Sequence, residues 1–146
     1  MPSEQRKQII LVVEDHADTI EMMRLLLEGL DYAVLIARNG CDAVSLASEF
    51  KPDLVLTDYG LPDLNGIEVI RRLRSLEGSH QVPIVMLTAY GRREYEESAI
   101  AAGCTIVLSK PTDFETIRRI VVDLLAKSDN KESDNSVSPG TRERTS

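Results

Sequence analysis

The stretch 54–62, LVLTDYGLP, runs four apolar or β-branched residues into Asp58 and then into a turn-forming Tyr-Gly-Leu-Pro. Its first four residues have the composition of a short strand buried on both faces. In an open parallel sheet, ligands lie at the carboxyl ends of the strands, so Asp58 falls at the edge where chemistry is done. A carboxylate there can be a nucleophile, a metal ligand, a helix cap or a turn former. Other groups of catalytic type fall at comparable points. Glu14-Asp15 follow the apolar run IILVV, Thr88 follows 84–87, and Lys110 follows 105–108. Three carboxylates at one edge repel one another unless a cation lies between them. An open, all-oxygen donor set favours Mg²⁺, a hard ion that keeps some of its waters. A lysine and a hydroxyl opposite can neutralise a phosphoryl group. The set fits phosphoryl transfer, in which catalysis is mostly positioning and charge stabilisation.

The elements that must position these residues follow from periodicity and punctuation. Strand one is 9–13. The charged turn EDHAD leads into a helix with Ile20, Met23, Leu27 and Leu30 at helical spacing and Gly29 as its stop. Residues 33–36 form strand two. Asn39-Gly40 is a turn, Ala43, Val44, Ala47 and Phe50 give one face of helix two, and Pro52 breaks it. Strand three is 54–57. A loop from Asp58 to Gly66 precedes helix three, lined by Ile67, Ile70 and Leu73, with Arg71, Arg72 and Arg74 on its wet face. Strand four is 84–87, helix four runs 92–102 to Gly103, and strand five is 105–108. Asp113 is the N-cap of helix five, whose Ile117, Val121 and Leu124 face the core. Five uninterrupted β-α units imply an α/β domain, a doubly wound five-stranded parallel sheet with five helices.

Composition bounds the rest. A chain of 146 residues, 42% hydrophobic and 28% charged, supports one globular domain with a real core, aliphatic because aromatics are only 4%. The domain expectation is an N-terminal extension over 1–8, a folded domain over 9–126 and a disordered polar tail over 127–146. That tail has Val137 as its only aliphatic residue. Its Lys127, Lys131, Arg142 and Arg144 balance Asp129, Glu132, Asp134 and Glu143, so the folded part carries the whole net charge of −7. Such a domain is a poor non-specific binder of nucleic acid. No apolar run reaches the ~20 residues of a membrane span, and the start lacks the apolar stretch of a secretory signal. The expectation is a cytoplasmic protein with Cys41 and Cys104 as reduced thiols.

Singly, each candidate has an ordinary reading: Asp15 and Asp18 as caps of helix one, Asp58 as a turn former, Lys110 as a solvated charge. Jointly they do not. The motifs VVED (12–15), LTDYGLPDLNG (56–66), MLTAY (86–90) and LSKP (108–111), in this order and spacing, make the chain resemble the receiver domain of two-component response regulators, over roughly 8–126. The resemblance implies the flavodoxin-like strand order 2-1-3-4-5, with the site at the switch between strands one and three. It makes Asp58 the phosphoacceptor, charged by a sensor histidine kinase or phosphotransfer protein. Mg²⁺ would be held by Glu14 (through water), Asp15, Asp58 and the backbone carbonyl of Gly60. Lys110 would pair with the phosphoryl oxygens, Thr88 would hydrogen-bond them, and the Lys110-Pro111 peptide would be cis.

Two departures stand out. The aromatic residue common in strand five of receivers is replaced by Val107, so a signal must travel by Thr88 and the backbone. The variable positions two after the acceptor and two after the threonine are Gly60 and Tyr90. Glycine leaves one side open to water, and Tyr90 is expected to cover the other and slow loss of the phosphoryl group. His16 reads as a solvated loop residue rather than a ligand, since the other histidine, His80, lies in a different loop.

The function expected is a phosphorylation-dependent switch read by a separate output protein, monomeric or weakly dimeric, with no catalysis beyond its own phosphorylation and dephosphorylation. Three alternatives stand beside it. A haloacid-dehalogenase-like Mg²⁺ phosphatase requires a second acid where Gly60 stands. A flavodoxin needs a hydroxyl- and glycine-rich loop in place of EDHAD. A receiver-like interaction module that is never phosphorylated would not need the intact acceptor, lysine and threonine.

Overall fold

The structure is a computed structural model that describes residues 6–79, 81–89 and 92–137, with 92–94 and 128–137 described as backbone only. The elements alternate without exception: β1 (Ile9–Val13), α1 (Ala17–Gly29), β2 (Ala33–Ala37), α2 (Gly40–Phe50), β3 (Leu54–Asp58), α3 (Gly66–Arg74), β4 (Ile84–Thr88), α4 (Arg92–Ala102), β5 (Ile106–Ser109) and α5 (Phe114–Val137). All four strand pairings are parallel, and the sheet order is β2-β1-β3-β4-β5. The chain is thus the doubly wound α/β fold that the alternation implies, with the switch in strand order between β1 and β3.

Both faces of the sheet are buried, and the side-chain period of two divides the strands cleanly between them. Leu11, Val13, Val55, Ile84, Met86 and Val107 pack with Ala43, Ala47, Ile70, Leu73 and Ala99, so α2, α3 and α4 cover one face. Ile10, Val12, Leu54, Leu56, Val85 and Leu87 pack with Met23, Leu27, Ile117, Val121 and Leu125, so α1 and α5 cover the other. A slip of one residue in any central strand would exchange these two sets, and that fixes the register and with it the height of each strand end.

The strand ends differ from expectation by one residue in a way that matters. Asp58 and Thr88 are the last residues of β3 and β4 rather than the first beyond them, and β5 runs Ile106–Ser109. Several local readings are corrected. Helix α1 does stop at Gly29, but the left-handed residue that follows is Asp31 at φ 74°. Phe50 is 45% exposed instead of lining the core face of α2. In α5 the fully buried leucine is Leu125, with Leu124 only partly covered. Helix α5 runs Phe114–Val137. Arg74 is not on the wet face. Its guanidinium donates to the Gly103 carbonyl through Nε at 3.1 Å and NH2 at 2.8 Å, and to the Ser79 carbonyl, tying α3 to the end of α4.

Candidate functional site

The site is held by the carboxyl ends of three adjacent strands. Glu14 extends the β1–β2 ladder, donating its backbone N–H to the Ala37 carbonyl at 2.9 Å, and is buried. The end of β4 acts as a common anchor. Tyr59 N–H donates to the Leu87 carbonyl at 2.8 Å, and Lys110 N–H donates to the Thr88 carbonyl at 2.8 Å. The residue after Asp58 and the lysine itself are therefore fixed to the same strand end. Thr88 is fully buried. The Lys110-Pro111 peptide is cis.

Within this frame Lys110 Nζ lies 3.0 Å from Asp58 Oδ1 and 3.8 Å from Glu14 Oε1. Asp58 is 6% exposed. Burial pushes its carboxyl above the ordinary aspartate range, Glu14 adds to the rise, and the Lys110 hydrogen bond and charge oppose it. One lysine against the carboxylates of Glu14, Asp15 and Asp58 leaves the cleft short of positive charge. Asp15 Oδ1 is buried with no hydrogen-bond partner, although His16 Nδ1 stands 3.4 Å away. Glu14, Asp15, His16 and Asp58 can each present one ligand atom within 4.8 Å of the others. An orphaned carboxylate oxygen among converging acidic groups is the condition a divalent cation relieves, so the residues present fit Mg²⁺.

The loop from β3 to α3 is pinned at both ends. Asp63 Oδ1 accepts the N–H groups of Gly40 and Leu64, both at 2.7 Å, and its Oδ2 accepts Cys41 N–H at 2.9 Å. These donors, Cys41 and Gly40 foremost, hold the Asp63 carboxyl far below the usual carboxylate range. At the other end Gly66 donates its N–H to the Tyr59 carbonyl at 2.7 Å. A Cβ on Gly66 would stand 2.7 Å from the Asp58 carbonyl oxygen and 2.8 Å from Tyr59 Cα, so only glycine lets the helix start this close to Asp58. Gly60, in contrast, is exposed and has nothing within 4 Å of where a Cβ would be.

Of the residues singled out from sequence, Glu14, Asp15, Asp58, Thr88 and Lys110 converge at one end of the sheet. Val107 is buried on the α4 side, paired in register with Met86. Tyr90 lies outside the described residues, as does His80. Three features were not read from the sequence. His16 turns onto the acidic pair, 2.9 Å from Glu14 Oε2. Asp63 anchors the loop between β3 and α3. Tyr59 stacks on Tyr95 of α4, with ring centroids 4.6 Å apart at 37°. The signal available for the first and third was adjacency alone, since His16 follows Asp15 and Tyr59 follows Asp58. A cleft of about 620 Å³ lies at the opposite ends of β3 and β4, between Lys51, Asp53, Ser79 and Ile84, away from the carboxylates.

The fold and the site together define a doubly wound α/β domain with an acidic, lysine-capped cleft at its strand ends. The chain belongs to the response regulator receiver domain family, whose model matches residues 10–122. Receiver domains are phosphorylation-dependent signalling modules of two-component systems. The chain is 37% identical over 112 residues to an uncharacterized 14.6 kDa protein of Leptolyngbya boryana, covering 77% of this chain and 86% of that one. It is 33% identical over 118 residues to the polar-differentiation response regulator DivK of Brucella anthropi, covering 78% and 96%. Among solved structures it resembles the receiver domain of the sensor histidine kinase PA1611 from Pseudomonas aeruginosa, which has a magnesium ion coordinated in its active-site cleft. That match has a TM-score of 0.76 and 31% identity, and covers 83% of this chain and 99% of that one. Among the described residues, no helix is long and apolar enough to cross a membrane.

Proposed function

We propose that the chain is a phosphoacceptor switch in which Asp58 takes a phosphoryl group from the phosphohistidine of a sensor kinase or phosphotransfer protein. An Asp58 carboxylate oxygen attacks phosphorus, the P–N bond breaks, and its electron pair returns to the donor imidazole, which takes up a proton. The product is an acyl phosphate. The observation that carries this reading is the Lys110–Asp58 contact of 3.0 Å inside a buried acidic cleft. It places a cation where the incoming phosphoryl charge must be met.

Glu14, Asp15, Asp58 and the Gly60 carbonyl would hold Mg²⁺, which supplies charge neutralisation between acceptor and phosphoryl oxygens. The fit of Asp15 to a cation and the magnesium in the PA1611 receiver support this assignment. Lys110 pairs with a phosphoryl oxygen, and Thr88 closes on it from β4. The added charge shifts a two-state surface, and an output protein that binds one state better reads the change. The net charge of −7 makes that reader a protein rather than nucleic acid. We assign the chain no turnover of an external substrate, a cytoplasmic location, and a monomeric or weakly dimeric state. The switch occupies 9–126.

The test is incubation with Mg²⁺ and a small acyl phosphate donor, followed by intact-mass measurement. Wild type should gain one phosphoryl group and Asp58→Asn none. No gain in wild type, or an equal gain in the variant, rules the reading out.

A further inference from the structure

We propose that His16 Nδ1 is itself a ligand of the cation held by Glu14, Asp15 and Asp58, which makes the cleft a mixed nitrogen–oxygen site that favours first-row transition dications over Mg²⁺. The inference rests on the cation site assigned under Proposed function.

Spacing is the first ground. Metal–ligand bonds of about 2.1 Å put neighbouring octahedral ligands about 3.0 Å apart. His16 Nδ1 stands 2.9 Å from Glu14 Oε2 and 3.4 Å from Asp15 Oδ1, so it already occupies a ligand's place relative to both carboxylates. Glu14 Oε2 also accepts the backbone N–H of His16 at 3.1 Å, which holds the residue against the acidic pair independently of its ring.

The second ground is what the side chain leaves undone. His16 is the N-cap residue of α1, a position where a side chain normally bonds the exposed helix N–H groups, yet it makes no such bond. Its ring turns instead onto Glu14 Oε2 at 2.9 Å, with the buried Asp15 Oδ1, which has no hydrogen-bond partner, 3.4 Å away. The imidazole side chain is 70% exposed, so Nε2 can carry the ring proton in water while Nδ1 offers its lone pair. Imidazole prefers the later first-row dications, whereas an all-oxygen set does not set them apart from Mg²⁺ in this way.

A positioning role, in which His16 only orients Glu14 by a hydrogen bond, is the competing account, and His16→Gln separates the two because an amide can keep that bond but is a poor metal ligand. Mn²⁺ is loaded alone on the full chain, and pulsed electron paramagnetic resonance reads any directly bound ¹⁴N. Mg²⁺ and Ni²⁺ affinities are measured by calorimetry on the same proteins. Wild type and His80→Gln should both show imidazole nitrogen coupling, and His16→Gln should lose it. The preference for Ni²⁺ over Mg²⁺ should fall about tenfold or more in His16→Gln, a range that changes even beyond the direct ligands reach. Mn²⁺ bound without nitrogen coupling in wild type, or coupling that survives His16→Gln, overturns the inference and leaves the phosphoacceptor reading in place. Failure of wild type to bind any of the three dications overturns both.

Discussion

Lys110 Nζ stands 3.0 Å from Asp58 Oδ1 and 3.8 Å from Glu14 Oε1, so one ammonium serves two of the three carboxylates in the cleft. Its backbone is fixed by the bond to the Thr88 carbonyl, which roots the side chain beside the cleft. Replacing Lys110 with Ala removes a preorganised cation from the developing phosphoryl charge. The rate of acyl phosphate formation should fall about 10²-fold, in the range seen when one such donor is removed. Time courses of intact mass at fixed donor concentration measure it. An unchanged rate would mean the lysine does not touch the transferred group.

The two glycines beside the acceptor should respond in opposite ways. Gly66→Ala drives a methyl group into the Asp58 carbonyl and the Tyr59 backbone, and backbone cannot swing aside as a flexible side chain can. Overpacking of this kind costs about 1–3 kcal/mol. Gly60→Ala adds the same methyl to open space, and its urea midpoint should match wild type. Equal destabilisation of the two variants would contradict the close approach at Gly66.

Asp63 supplies a pH dependence whose sign is fixed by its bonds. Its carboxyl titrates far below the usual range because backbone N–H groups of Cys41, Gly40 and Leu64 bond its ionised form. A carboxyl depressed on folding contributes stability that is present above its unfolded value of about 3.9 and is lost as pH falls through the folded value. Asp63→Asn should therefore melt below wild type from neutral pH down to about pH 4. The two curves should converge only at more acid pH. Matching melting temperatures at pH 7 would show that the loop is not held this way.

The pair Tyr59–Tyr95 joins the residue after the acceptor to α4. It lies on the same face of the sheet as Val107, the strand-five residue that has no ring of its own to turn. A double-mutant cycle with both residues changed to Leu should give a coupling energy of about 0.5–1.5 kcal/mol. Phosphorylation should shift α4 amide resonances in wild type, and the shift should shrink in Tyr95→Leu. Zero coupling in the cycle would remove this ring contact as a route from Asp58 to the surface.

The parts of this molecule that were legible in its sequence are those governed by burial along the chain. Leu54, Val55, Leu56 and Thr57 are all buried, so a run of apolar and β-branched residues marks the strand, and the polar residue that ends it marks the site. The spacing of Glu14-Asp15, Asp58, Thr88 and Lys110 carried the chemistry for the same reason, because a parallel sheet delivers all its strand ends to one edge. What escaped depended on contacts across the fold. Nothing in the sequence says that Arg74 will reach the Gly103 carbonyl, or that Asp63 will bond the start of α2. His16 is solvent-exposed, as expected, but its contact with Glu14 was not legible, because it forms only where the chain turns at the N-cap of α1.

On the proposed function, Asp58 alone among the clustered acids becomes an acyl phosphate. Treating the phosphorylated chain with borohydride reduces an acyl phosphate to an alcohol, which converts the modified aspartate to homoserine in place, and peptide mass spectrometry then reads its position. Homoserine is expected at position 58 and at no other acidic residue. Reduction at Asp15, or a phosphorylated chain with an unaltered Asp58, would contradict it.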